Sequence, residues 1–190
     1  MKLLNSFLLI CLVFSFGSCQ PIMLAVYGIQ KPKVTSEQKI LKAMESQNLN
    51  CDYSFSISES GFFRYIDLPY SVNRVFLYTK NGKYISKLDS SDCSSSTTGF
   101  LNVFKEPAYS EELDLDTTNY FNDYFVKMDG SKVTLNLNTQ YYAVVFWATF
   151  SGRLNEKSSE WANYLIKDPD VKVICVSLDP REFWPSAISK

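Results

Sequence analysis

The 190-residue sequence predicts an α/β fold. Three stretches carry that reading. The run 171–178, VKVICVSL, is apolar on both faces, as a parallel strand covered by helices on two sides should be. A second strand at 141–148 and a helical stretch precede it, and a strand-helix-strand order of this length favours a right-handed parallel pair. Upstream, 72–88 reads VNRVFLYTKNGKYISKL, a hairpin signal, because Asn81-Gly82 suits a tight turn whose central residues both take φ > 0. With 46% hydrophobic and 15% aromatic residues, the chain can fill one core, as one domain or two small halves packed together.

Along the chain, 19–34 contains Pro21, Gly28 and Pro32 without any period and reads as a tether. Residues 35–106 form a first α/β unit with the hairpin. Its helix starts at Ser36, a candidate cap with Lys39 where a capping box has Glu, and presents Ile40, Leu41, Met44 and Leu49 as its apolar stripe. Strict alternation of Tyr53, Phe55 and Ile57 predicts a strand over 53–58. The polar stretch 90–99 leads into a short helix near 99–105. Residues 107–130 read as a connecting helical segment, its helix over 110–127 with Leu113, Tyr120, Tyr124 and Phe125 inward. In the last unit, 131–190, a strand at 132–137 precedes the strand 141–148, a helix from Ser151 to Ile166 stopped by Pro169, and the strand 171–178.

Composition excludes several chemistries. With no histidine, there is no Ser-His or Cys-His couple and no imidazole-built zinc site. The five cysteines, Cys11, Cys19, Cys51, Cys93 and Cys175, contain no C-x-x-C pair and are too scattered for a four-thiolate site. No close acidic cluster points to a metal, and no cofactor motif is present. A formal charge of −1 without a basic stripe gives no reason to expect nucleic acid.

Residues 1–18, MKLLNSFLLICLVFSFGS, read as a signal peptide. Lys2 gives a positive start, and Phe7 to Phe16 form an apolar run of about ten residues, too short for the roughly 20 that span hydrocarbon. Phe16-Gly17-Ser18-Cys19 then places two small residues before a cysteine. It resembles the lipobox of bacterial lipoproteins, with Phe16 where Leu is usual. The resemblance implies that Cys19 is acylated and ties the body to a membrane of the bacterial cell envelope. Gln20, not an acidic residue, favours the outer membrane. Plain secretion after cleavage at Gly17 or Ser18, and an uncleaved anchor, are the alternatives. In such an oxidising compartment disulfides persist.

The stretch YYAVVFWATFSG, a helix, and then KVICVSLD resemble the first half of a thioredoxin-like domain of the thiol-disulfide and peroxiredoxin-related type. The match covers about 131–184, and Leu178 to Trp184 is similar to the start of the family's next helix. With the sequence ending at Lys190, the resemblance implies that the other half lies upstream. There a helix, a strand, Leu68-Pro69 and the hairpin on Lys80-Asn81-Gly82-Lys83 resemble the second half of the same fold. Pro69 stands where the family carries a cis-proline, with about four extra residues before the turn. Two arrangements follow: a thioredoxin-like fold with its halves in reverse order, or two incomplete thioredoxin-like units packed together. A different α/β fold is the third reading.

The resemblance also locates the missing chemistry. At the family's first cysteine position, where the helix dipole and free N–H groups stabilise a thiolate, stands Ser151, and Leu154 holds the resolving position. The peroxiredoxin Thr-x-x-Cys spacing from Thr149 ends on Gly152. No catalytic residue is therefore expected; Ser151 is read as the helix N-cap, with Leu154 packed beneath it. Pro69, Trp147, Phe150, Ser151 and Arg153 are the candidate contacts for a protein or peptide partner. Core or rim packing is the plainer reading of Trp147; Arg153 is also a candidate anion site near the helix N-terminus, with a solvated side chain as its plainer reading. Cys51 and Cys93 are the candidate disulfide, whose loop of about 40 residues would contribute roughly 3–4 kcal/mol; unpaired thiols and a redox pair are the other readings. Cys175 reads as a buried small hydrophobe. The expected function is an envelope lipoprotein whose non-catalytic thioredoxin-like body is a protein- or peptide-binding platform. The alternative is a thiol-disulfide oxidoreductase using a displaced Cys51/Cys93 pair.

Overall fold

The structure, a computed structural model, describes residues 26–66, 75–81, 84–85, 99, 101–102, 104–105, 112–113, 123–133 and 139–188. Cys19, Pro69, Cys93 and Tyr120 lie outside them.

The described chain is mixed α/β. Strands β1 (Tyr53–Ile57), β2 (Val75–Thr79), β3 (Tyr84–Ile85), β4 (Glu112–Leu113), β5 (Phe125–Val126), β6 (Tyr141–Trp147) and β7 (Val171–Ser177) form one sheet. Their spatial order is β4-β3-β2-β6-β7-β1-β5. The helices are α1 (Glu37–Ser46), α2 (Glu59–Ile66), α3 (Asn155–Leu165) and α4 (Pro185–Ile188), with a 3₁₀ segment at Thr149–Leu154.

The centre of the sheet follows from two β-branched runs. β6 and β7 pair in parallel from Tyr141↔Val171 to Trp147↔Ser177, joined by α3. Successive side chains on a strand point to opposite faces, and here both faces are covered. Ala143, Val145 and Trp147 of β6 and Val171, Val173 and Cys175 of β7 join Ile40, Met44, Trp161 and Leu165 on one side. Tyr142, Val144, Phe146, Ile174 and Val176 join Phe55, Ile57, Phe125 and Trp184 on the other. β1 lies parallel to β7, and β2 lies antiparallel to β6. The two expected units therefore interleave in one sheet.

Several elements depart from expectation. In α1, Ile40 and Met44 are buried and Leu49 follows them inward, but Leu41 is 44% exposed, because one residue on from Ile40 is a rotation of about 100° around a 3.6-residue helix. Ser36 is the N-cap by position, yet its hydroxyl makes no capping bond. The hairpin forms, but its pairs Leu77↔Ile85 and Tyr78↔Tyr84 are centred on Asn81, a register of odd loop length rather than a two-residue turn at Asn81-Gly82. The expected helix over 110–127 is replaced, where described, by β4, a helical turn at 123–124 and β5. Edge pairing decides it: β4 adds to β3 and β5 to β1, and helix propensity is a weak prior against tertiary pairing. Of the strand expected at 132–137, Lys132 makes an isolated bridge to Val126, and 134–138 lie outside the described residues.

The cysteine pairing is corrected. Cys51 is bonded to Cys175, with Cα atoms 5.9 Å apart, and so is not available to Cys93. Cys175 is fully buried as expected, but as half of a disulfide. The register places Ser54, not Cys51, opposite Cys175; Cys51 lies just before β1, where Asp52 N donates to Val173 O at 2.9 Å and brings the chain against β7.

Candidate functional site

In open α/β sheets, ligands lie beyond the carboxyl ends of the parallel strands. At that end of β6 the chain passes through Ala148 into the 3₁₀ segment before α3 begins. The interruption is at Gly152, with φ 56° and ψ −132°, a left-handed backbone that favours glycine. Ser151 is consequently not the cap of α3. It lies inside the 3₁₀ turn, buried, and its Oγ has no hydrogen-bond partner among the described residues. Asn155 takes over the anchoring: its Nδ2 donates to Ala148 O at 2.6 Å, and its Oδ1 accepts from Ala148 N at 3.2 Å. Ser158 Oγ adds a bond to Phe146 O at 3.0 Å.

Beside this turn, the loop after β7 contributes a buried carboxylate. Asp179 accepts from Thr149 N at 2.9 Å, from Thr149 Oγ1, and from Ser177 Oγ at 2.8 Å. It thereby ties the exits of β6 and β7 together. Arg181, also buried, donates from a terminal guanidinium nitrogen to Met128 O at 2.6 Å, and its guanidinium stands 5.5 Å from the Phe183 ring centre. Burial pulls the Arg181 guanidinium below its usual range, while Glu37, Asp179 and Glu182 pull it back up.

The tether then closes this end. Gln30 N donates to Phe150 O, and Thr35 N donates to Pro180 O, each at 2.8 Å. A Cβ on Gly152 would stand 2.1 Å from Tyr27 O. Residues 26–35 are therefore docked across the exits of both central strands rather than hanging free.

This geometry corrects the expected partner contacts. Trp147 is 1% exposed and belongs to the core, since it faces α3 and α1 from the last position of β6. Ser151 is buried as well. Phe150 is half-buried against the other face's core, and Arg153 is exposed. Pro69 lies outside the described residues. Of the four described residues, only Phe150 and Arg153 reach the surface.

Two clefts flank the closed end. One, of about 310 Å³, is lined by Ser46, Gln47, Gly152, Arg153, Asn155, Glu156 and Ser159. The other, of about 420 Å³, lies between the tether at Pro32–Val34, the start of α2, and the turn into α4 at Trp184. Its walls are mostly apolar: Phe62 packs on Trp184 with ring centres 5.4 Å apart, while Val34 and Phe63 are 51% and 55% exposed.

Sequence reasoning missed Asn155, Asp179, Arg181 and the docking of the tether. Asp179-Pro180 directly after an apolar parallel strand was the available signal, because that is where α/β folds place functional polar groups. Among the described residues no group of three His, Cys, Asp or Glu side chains is arranged to hold a metal ion, and no helix is long and apolar enough to cross a membrane. Comparisons with protein-family models, curated proteins and solved structures return no match.

Proposed function

We propose that the protein is a lipid-anchored envelope protein whose thioredoxin-like body does no thiol chemistry and serves as a docking platform for a peptide segment of a partner protein. The observation that carries the non-catalytic part is the pairing of Cys51 with Cys175, together with a serine at the position where the family's nucleophile would stand. Ser151 Oγ is buried with no base beside it among the described residues, and a hydroxyl so placed stays protonated. Sheet order supports the reading of reversed halves. The β6-α3-β7 unit has the upstream hairpin strand β2 beside its first strand, antiparallel, with β3 next.

The docking cleft in this reading is the one walled by Val34, Phe62, Phe63 and Trp184. Its occupant is an extended peptide carrying an aromatic or aliphatic side chain. Exposed Phe63 and Val34 beside a cavity of about 420 Å³ leave apolar surface whose burial would contribute about 25 cal/mol per Å². The lipid anchor rests on the Phe16-Gly17-Ser18-Cys19 pattern.

Three measurements test the proposal. Intact mass of the membrane-extracted protein should show an acylated N-terminal Cys19; an unmodified Cys19 ends the anchor claim. Peptide-library selection on the immobilised protein should enrich sequences with one apolar anchor residue that Phe63→Asp no longer binds. A disulfide-reductase assay should show no turnover, and turnover that disappears in Cys51→Ser would make the protein an oxidoreductase instead.

A further inference from the structure

With Cys19 as the lipid anchor, the reading on which this inference rests, the docked tether fixes which end of the body meets the bilayer. Val26 is seven positions beyond Cys19, and seven residues fully extended reach at most about 25 Å. From Tyr27 onward the chain is held at the strand exits. Tyr27 O lies against Gly152, Gln30 N donates to Phe150 O, and Thr35 N donates to Pro180 O. A body of about 160 residues has a radius of gyration of about 15 Å and so measures about 40 Å across. The opposite end of the sheet, where α3 stops and β7 begins, therefore lies beyond the reach of the anchor.

The end within reach is also an apolar one. Of the six large apolar side chains exposed among the described residues, three stand here: Val26, Val34 and Phe63, at 57%, 51% and 55%. Val34 and Phe63 share the wall of the larger cleft, and Val26 opens the docked run. The bridge to the anchor, Gln20-Pro21-Ile22-Met23-Leu24-Ala25, carries no charge, so its composition matches the same apolar surroundings. Charge does not decide the contact. Lys31 and Lys33 are exposed on the tether, but Glu37 and Glu182 surround Arg181 at this end, and Glu59 lines the cleft.

We propose that the strand-exit end is the membrane-facing surface of the protein, with Val26, Val34 and Phe63 set into the headgroup region of the bilayer that holds Cys19. The acyl chains and this apolar rim grip one bilayer at two points, and two signals give a firmer hold than one. The larger cleft then opens at the lipid surface. A partner peptide that docks there comes from a segment lying along the membrane, which narrows the platform reading to a juxtamembrane partner.

The test uses the whole mature protein, acylated, in phosphatidylcholine vesicles, with Cys93→Ser removing the thiol outside the Cys51–Cys175 bond. A spin label is attached through Val34→Cys, through Phe63→Cys or, at the opposite end, through Lys167→Cys. All three positions are exposed, so the core stays intact. Labels at 34 and 63 should collide freely with dissolved oxygen and be shielded several-fold from a water-soluble nickel chelate, while the label at 167 stays open to the chelate. The shielding should persist at about 1 M salt, where surface charges are screened within about 3 Å. Labels at 34 and 63 as open to the chelate as that at 167, on a protein whose intact mass shows an acylated Cys19, overturn the orientation and leave the anchor standing. Shielding that vanishes in the high salt overturns the apolar contact. An unmodified Cys19 ends the anchor and the orientation with it.

Discussion

Asp179 shows how one buried side chain joins two strand exits. Its carboxylate answers the backbone N–H and hydroxyl of Thr149 and the hydroxyl of Ser177, and the residue is wholly buried. Removing the acceptor strands three donors, each costing about 1–3 kcal/mol when buried and unpaired. Asp179→Ala should therefore lower the unfolding free energy by about 2–5 kcal/mol in a urea titration, and Thr149→Val by less. Tyr142 makes a prediction in pH. Burial raises its hydroxyl to about 12 from an ordinary 10.0. A group whose pKa is raised on folding supports the fold fully below the unfolded value and loses that support as pH climbs to the folded one. Stability should thus fall between pH 10 and about 12, and Tyr142→Phe should flatten the fall. Lys172, held above its usual range by its hydrogen bond to Asp52 and that residue's charge, also loses its contribution in strong alkali, so the comparison with Tyr142→Phe isolates the tyrosine.

At the scale of elements, the turn between β6 and α3 is the informative one. A helix beginning at Ser151 fits the local pattern, but the observed start is Asn155, preceded by a 3₁₀ turn. The reason is distant in sequence: the tether backbone at Tyr27 and Gly28 presses on Gly152, leaving no room for a side chain. Gly152→Ala combines a left-handed φ with a Cβ 2.1 Å from Tyr27 O. It should displace the tether, seen as new protease cleavage within 26–35 while the sheet core keeps its hydrogen-exchange protection. If cleavage there is unchanged, the tether is not held by this contact. The replacement of the connecting helix by β4 and β5 has a similar origin, since edge strands take their hydrogen bonds from β3 and β1.

For the whole molecule, the Cys51–Cys175 bond matters most. It joins residues 124 apart in sequence, locking the entry of β1 to the middle of β7. Chain-entropy reasoning assigns such a link about 2–5 kcal/mol. Cys51→Ala should lower stability by that amount under oxidising conditions and by nearly nothing when the wild type is compared under reduction. Equal stability of the two oxidised proteins would show that the bond does not form. A non-reducing peptide map should join the peptides of Cys51 and Cys175, leaving Cys93 outside the pair.

The sequence alone determined the two central strands, the helix between them, the hairpin and most of α1's buried stripe. These depend on local period, on turn residues and on residue type, all of which are written in a few consecutive positions. Only the tertiary structure decided the partner of Cys51, the burial of Trp147 and Ser151, the docking of the tether and the polar knot at Asp179. Each of those is a contact between segments far apart in the chain. Which strand lies beside which is set by how the apolar faces of β6 and β7 are covered from both sides, and no short stretch of residues carries that information.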